Sequence, residues 1–486
     1  MPEKQTFKQT LQMKRNYMGR ACKLHFESAP LKIVQASRQY MYDDTGNEYL
    51  DCIGNISHVG HCHPHVTRAG QDQLGTLVAS TGFLNEKSVE YAKRMIETLP
   101  EKLCVCFMVN SGSEANDLAV RLCRSYTGHH DVMVIDHAFH GNVSVIADLS
   151  PFKWQKLGME KKDWVHVVPF PDTYRGKYRE DSINPGLLYA NEARNIIQSA
   201  HEKKRKIAAF LCEPMMVTAG VVEYPPHFLS QTFRAVHEAG GLCIIDEVNT
   251  GLGRTGDHFW AFQSQDVVPD ILVVGKPLGN GFPMAMVITS KEIADNLSDY
   301  TNTFGGNPVA CSIGLAVLDV IQNEKLQSSA KSVGKCFKDG LKAIAPNHPM
   351  IGDVRGRGMI VGIEIVTDKE SRKPAPEAAD LLAYKLKENK IIIANEGQDK
   401  NVMLITPPLC FTCDNARHVV QAIDSALAEI EKGASEAGLN QSSFGENRMD
   451  IPLNILSMPS TSGYSSEESD FDSEHPSKRA RYEEVD

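Results

Sequence analysis

The sequence has no excess of basic residues. It carries 51 Lys and Arg against 61 Asp and Glu, a formal charge of −10. Residues 433–486 hold 4 of the former and 11 of the latter, so the first 432 residues are near −3. A near-neutral body lacks the cationic face that non-specific nucleic-acid binding needs. No run approaches the ~18 consecutive apolar residues of a membrane span. An apolar signal peptide is missing. A second CxxC to join Cys410 and Cys413 is missing too, and structural zinc takes four ligands, so no metal site is expected. The 12 cysteines are scattered through a chain long enough to bury its own core. That predicts reduced thiols in an intracellular compartment. No GxGxxG follows an early strand, which sets aside a plain dinucleotide-binding protein.

What is present reads as an α/β chain. Short β-branched runs lie at Cys104–Val109, Val132–Ile135, Ala208–Cys212, Leu242–Ile245 and Ile271–Val274. Runs of this kind suit buried strands of a parallel sheet. Helical patterns lie between them, such as Ser113–Tyr126 with one apolar face, and this alternation implies a doubly wound domain. From residue 310 the pattern changes. A helix is expected over Ala310–Ile321, a glycine-rich stretch at Gly352–Gly358, a strand at Ile360–Ile365 and a helix near Ala375–Glu388. A strand at Ile391–Ala394 and a helix near Asp414–Glu431 follow. The expected organisation is an N-terminal segment (1–60), a large domain (61–309), a small α+β domain (310–432) and a tail (433–486). The tail has 11 Ser and an acidic run at Ser465–Glu474. It is too polar to offset its ordering entropy and reads as disordered. It is either a solvated end or a phosphorylatable or localisation segment. The basic N-terminus (Lys4, Lys8, Lys14, Arg15, Arg20, Lys23) reads as an amphipathic helix, with organelle targeting as the alternative.

Three segments carry chemistry. Asn110–Asp117 follows a strand and opens a helix, where converging backbone N–H groups favour an anion. The plainer reading makes Ser113 an N-cap. Leu242–Glu247 is an apolar strand ending in Asp246 and Glu247, costly carboxylates unless a cation meets them. A core Arg such as Arg254 is the plainer partner. Ile271–Pro277 ends in Lys276, where desolvation would free an amine for bonding to a carbonyl. A snorkelling strand-end Lys is the plainer alternative. Asp246 and Lys276 are 30 residues apart, one βαβ step, so both can face one crevice. An anion cradle, a carboxylate and a lysine match the phosphate, pyridine nitrogen and aldehyde of pyridoxal 5′-phosphate.

These segments resemble the class III pyridoxal-phosphate aminotransferases of fold type I, over about residues 10–430. The resemblance is strongest to the alanine–glyoxylate aminotransferase 2-like branch, which includes ethanolamine-phosphate and 5-phosphohydroxylysine phospho-lyases. Supporting stretches are Gln39–Asp43, His58–Pro64, Pro171–Asp181 and Thr303–Pro308. The resemblance implies a mostly parallel large-domain sheet and a smaller α+β domain built from both ends of the chain. It implies that Lys276 bonds the cofactor aldehyde and Asp246 faces the pyridine nitrogen. Gly112 and Ser113 match the phosphate turn, Phe139 the stacking aromatic, and Val248 the residue on the opposite ring face. Glu213 matches the acid beside the substrate pocket. Thr303 matches a threonine that reaches the phosphate of the neighbouring subunit, which implies a homodimer (or tetramer) with shared sites. His58, His61 and His63 fall in a loop lining the site rather than in a metal centre.

Several positions depart from the family. Asn249 replaces a Gln that contacts the cofactor's phenolic oxygen, and Met216 replaces another Gln. Leu404 stands where the aminotransferases have Arg and the phospho-lyases Lys. Gly82 and Phe282 replace Arg and His of the phospho-lyases. Arg175, Lys177 and Arg179 remain as candidate cations for a phosphorylated amine, or as a solvated basic loop. The expectation is a phospho-lyase releasing aldehyde, ammonia and phosphate from O-phosphoethanolamine or 5-phosphohydroxylysine. The alternatives are an alanine–glyoxylate type transaminase and a cofactor-binding relative with little or no catalysis. The close branch points to the mitochondrion; the cytoplasm is the alternative.

Overall fold

The computed structural model describes residues 5–436. The expected disordered tail lies outside them, apart from its first four residues. Those residues extend the final helix, Cys413–Glu436.

Seven strands form the central sheet, in the order Val105–Val109, Ala285–Thr289, Ile271–Val274, Leu242–Asp246, Ile207–Cys212, Asp131–Ile135 and Val165–Val168. Five of them match the apolar runs above. Ala285–Thr289 runs antiparallel to both neighbours and the other pairings are parallel. Helices cover the sheet, so its inner strands are buried along their whole length. Asp246 pairs with Val273, which brings Asp246 and Lys276 to the same carboxyl edge. The connection between them holds a 3-10 turn, Ala261–Gln265, in place of the expected crossover helix.

The helix opening the cradle spans Gly112–Thr127. Ser111 caps it, its Oγ accepting from Glu114 N–H at 3.3 Å, and Gly128 ends it in the left-handed region at φ 65°. Ser113 therefore lies inside the first turn and is not the cap. Helix Pro308–Asn323 is apolar nearly all round and correspondingly buried. It packs so closely on helix Glu86–Ile96 that a Cβ at Gly314 would sit 2.6 Å from the Tyr91 ring.

Both ends of the chain build the remaining layer. Ile33–Ser37, Tyr40–Asp43 and Glu48–Asp51 form a sheet completed by Ile391–Ile392, which runs parallel to Glu48–Asp51. A second, antiparallel sheet joins Ile351–Arg357, Ile360–Ile365, Val402–Ile405 and Ala394–Glu396. The glycine-rich stretch is thus a strand. The family fold, a mostly parallel sheet with a smaller α+β layer, is the one observed. Among the described residues no helix is long and apolar enough to cross a membrane.

The expectation of reduced cysteines needs correction. Cys336 and Cys413 form a disulfide between helices Leu326–Ile344 and Cys413–Glu436. Side-by-side packing of these helices brings the two Cα atoms to 5.8 Å, within bonding range, across 77 residues of sequence. Cys413 is consumed there, while Cys410 keeps its thiol and packs against Gln39.

Candidate active site

Asp246 ends a buried strand and is itself buried. Its Oδ1 accepts the Val248 N–H at 3.0 Å, and its Oδ2 accepts from Asn116 Nδ2 at 2.8 Å and His140 Nδ1 at 2.9 Å. Arg254, the plainer partner, goes elsewhere. Its guanidinium donates to Pro407 O at 2.7 Å and Met359 O at 3.3 Å and meets His58 Nδ1 at 3.2 Å. Glu247 is held instead by Thr250 and the Phe262 N–H.

Gly112, Val248 and Gly275 converge. A Cβ on Gly112 would meet Val248 Cγ2 at 2.9 Å, and one on Gly275 would lie 3.5 Å from the Gly112 nitrogen. The cradle, the segment after Asp246 and the residue before Lys276 therefore line one cleft. Ser113 Oγ accepts the Asn142 N–H at 3.1 Å. Gly141, at φ 144°, has no room for a side chain, since a Cβ would fall 2.5 Å from that oxygen. Phe139 is partly buried and tilts toward Phe152, ring centroids 6.4 Å apart.

Lys276 opens a short 3-10 turn just beyond its strand. Its Nζ donates to Asn249 Oδ1 at 2.5 Å. Burial pushes its ammonium pKa down, against the opposing pull of the Asp246 charge. Asn249 Nδ2 reaches Glu213 Oε2 at 3.4 Å, and the Val217 N–H donates to the same oxygen at 3.4 Å. Glu213 is buried, its Oε1 has no partner among the described residues, and burial together with the nearby Asp246 charge pushes its carboxyl up to about 8.

The departures from the family are placed as follows. Leu404 packs with Met215, Val217, Val221 and Ile360 in an apolar cluster beside the Glu213 turn. Met216 is buried and pairs through its backbone with Val222. Gly82 sits at φ 79° with open space around it, and Phe282 is partly exposed. Arg175 is engaged by Glu364 at 2.7 Å and Asp399 at 2.8 Å, Lys177 by Glu192 at 2.6 Å, and Arg179 is exposed. Thr303 is exposed in this chain, its carbonyl accepting from Thr81. His58 is buried between Leu252 O and Arg254, and burial with the adjacent guanidinium pushes it down to about 3. His61 bonds Asp51 at 2.7 Å and His63 bonds Glu324 at 2.9 Å, acids that sequence reading did not supply.

Sequence reasoning missed Asn116 and the role of His140. Both meet Asp246 across more than 100 residues, and only the helix periodicity that buries Asn116 hinted at either. Their outer atoms, Asn116 Oδ1 and His140 Nε2, are buried without partners among the described residues.

The donor set fits pyridoxal phosphate: a small-residue helix start for the phosphate, a triply bonded carboxylate for the pyridinium, and a desolvated amine. Comparisons agree. The family description "Aminotransferase class-III" matches residues 25–427. The chain is 42% identical over 432 residues to "Alanine--glyoxylate aminotransferase 2-like" of Drosophila melanogaster, covering 87% of each. It is 39% identical over 438 residues to "Ethanolamine-phosphate phospho-lyase homolog 1" of Caenorhabditis elegans, covering 87% of this chain and 94% of that one. It is 35% identical to the mitochondrial alanine–glyoxylate aminotransferase 2 of Homo sapiens, covering 88% of each. A phospholyase from Arthrobacter, solved with phosphoethanolamine, superposes with a TM-score of 0.82 at 33% identity, covering 86% of this chain and 99% of that one. The protein is a pyridoxal-phosphate-dependent enzyme of the class III aminotransferase family.

Proposed function

We propose that the enzyme is a phospho-lyase that eliminates phosphate from a small phosphorylated amine, O-phosphoethanolamine or 5-phosphohydroxylysine. The observation that carries this reading is the likeness to a phospholyase solved with phosphoethanolamine, while Leu404 weighs against the transaminase alternative alone. Where a transaminase of α-amino acids needs a cation for the substrate carboxylate, the chain presents an apolar cluster. The Arthrobacter phospholyase supports the same reaction class.

Gly112 and Ser113 would hold the cofactor phosphate, Phe139 and Val248 the two ring faces, and Asp246 the ring nitrogen. Asn249 would sit beside the phenolic oxygen. The bound cofactor supplies an electron sink for a bond broken at the substrate's Cα. Lys276, its pKa already lowered, takes the Cα proton as general base. Glu213, held protonated by burial, offers a neutral donor beside the pocket. Exposed Thr303 reaches a neighbouring subunit in a homodimer. The exposed apolar residues Leu74, Leu77, Val78, Phe83 and Leu84 support such an interface. Mitochondrial location is proposed from the naming of the human relative.

The relatives named for alanine–glyoxylate transamination favour a second reading, transamination. Incubation with O-phosphoethanolamine, 5-phosphohydroxylysine, or alanine plus glyoxylate separates the two. Phosphate with ammonia supports the lyase, whereas pyruvate without phosphate overturns it.

A further inference from the structure

Three lysines gather around Phe152 and Phe139, the second of which is assigned above to the cofactor ring. Lys153 and Lys156 come from the short helix Pro151–Leu157. Lys400 comes from the turn between strands Ala394–Glu396 and Val402–Ile405. Two elements far apart in sequence thus deliver like charges to one place. All three converge on the Phe139–Phe152 pair. Lys153 Nζ lies 5.1 Å from the Phe139 ring centroid, and Lys156 and Lys400 lie 4.4 and 6.0 Å from that of Phe152. The aromatic faces hold the ammonium groups without neutralising them.

The charge there is underpaid. Lys400 bonds Glu396 at 2.7 Å. Among the described residues neither Lys153 nor Lys156 forms an ion pair with a carboxylate. Their mutual repulsion is felt: Lys156 is pushed down by burial and then by the neighbouring Lys400 and Lys153 charges, with Glu396 opposing. An arriving anion relieves that repulsion.

The cluster adjoins the reacting groups. The Phe152 N–H donates to Ala138 O at 3.2 Å, fixing the helix to the segment that carries Phe139 and His140. His140 bonds Asp246. From the other side, the Glu396 charge that opposes the lysine repulsion also acts on Lys276. The resemblance to the phospho-lyases implies cations at two positions where this chain has Gly82 and Leu404, so an acidic substrate needs another anchor.

We propose that Lys153, Lys156 and Lys400 form an anion subsite at the mouth of the cofactor cleft that takes the distal phosphate or carboxylate of an amine substrate. The proposal rests on the reading of the cleft as an amine site and deepens the phospho-lyase assignment.

The test uses unreactive probes on the cofactor-loaded enzyme. Binding of propylphosphonate, butyrate and neutral butanamide is measured by calorimetry. The wild type is compared with Lys153→Met/Lys156→Met/Lys400→Met and with the matching Lys→Arg triple variant. The wild type should prefer an anion to butanamide, and the preference should shrink with added salt. Methionine variants should bind that anion about tenfold more weakly, while arginine variants stay within about threefold. Should the triple variant misfold, Lys156→Met alone, on an exposed residue, should still lose about threefold. Preference for propylphosphonate or for butyrate tells which tail the subsite takes. Equal binding of anions and butanamide, or binding indifferent to the methionine changes, overturns the proposal. Phosphate release from O-phosphoethanolamine is followed in parallel. Lysine-dependent propylphosphonate binding without phosphate release overturns the lyase reading alone, and phosphate release without lysine dependence overturns the subsite alone.

Discussion

The side-chain oxygen of Asn249 accepts a hydrogen bond from Lys276 Nζ at 2.5 Å. A family Gln at this position would be one methylene longer. The shorter amide turns to the lysine and, through its nitrogen, to Glu213. An acceptor on the ammonium favours the charged form. Asn249→Leu should therefore lower the Lys276 pKa further and move the acidic limb of the pH–rate profile to lower pH. An unmoved limb would show that Asn249 does not tune the lysine.

Lys276 itself is assigned both the cofactor bond and the Cα proton. Lys276→Ala should remove the near-visible absorbance of the bound cofactor and cut turnover by roughly 10²–10⁴ or more. Absorbance spectra and phosphate release check the two losses separately. A variant that keeps its band would move the role to another amine.

Much of this site was legible because a buried parallel strand betrays itself as a short β-branched run, and the polar residues ending such runs stand out. Asp246 and Lys276 are of that kind. Other features depend on contacts that no local pattern encodes. Asn116 and His140 reach Asp246 only after the sheet has assembled. Ala285–Thr289 has the composition of the sheet's parallel strands, and its antiparallel direction follows from the return of the chain after Lys276. Helix Leu326–Ile344 carries apolar residues at helical spacing, yet Lys and Ser on its outer face dilute that stripe. Arg175 looked like a free cation because its partners, Glu364 and Asp399, lie about 190 residues or more further on.

Glu213 makes stability depend on pH. Its folded value, about 8, is above the unfolded one, near 4.5. Below the unfolded value both states are protonated and the group's contribution is full. Above it the unfolded chain releases a proton that the folded protein keeps, so stability falls as pH rises toward 8. Glu213→Gln removes this loss. Relative to wild type, the variant should gain stability between pH 4.5 and 8.5, on the order of 3 kcal/mol. Urea unfolding at both pH values measures the gain, and an equal offset at both would contradict the protonated assignment.

Leu404 tests specificity. Leu404→Arg returns a guanidinium beside the Glu213 turn. Burying it in the apolar cluster should cost about 1–3 kcal/mol of stability unless Glu213 ionises to meet it. Where the substrate carboxylate displaces Glu213 from the guanidinium, the pocket regains an anchor, and pyruvate formation from alanine plus glyoxylate should rise at least about tenfold. Pyruvate and phosphate assays on one preparation read both activities. A variant that folds but transaminates no better would show that the missing cation is not what limits transamination.

The Cys336–Cys413 disulfide closes 77 residues of chain between two packed helices. In the chain-entropy account, closing a loop of this length restricts the unfolded ensemble by about 4 kcal/mol. Cys336→Ser/Cys413→Ser should lower the melting temperature by several degrees, and a reductant should lower that of the wild type but not of the double variant. The reductant comparison matters because the substitutions also change packing at the helix contact, whereas reduction of the intact protein breaks only the bond. Equal melting temperatures for oxidised and reduced wild type, with free thiols verified by alkylation and mass spectrometry, would mean that helix packing alone holds Leu326–Ile344 against Cys413–Glu436.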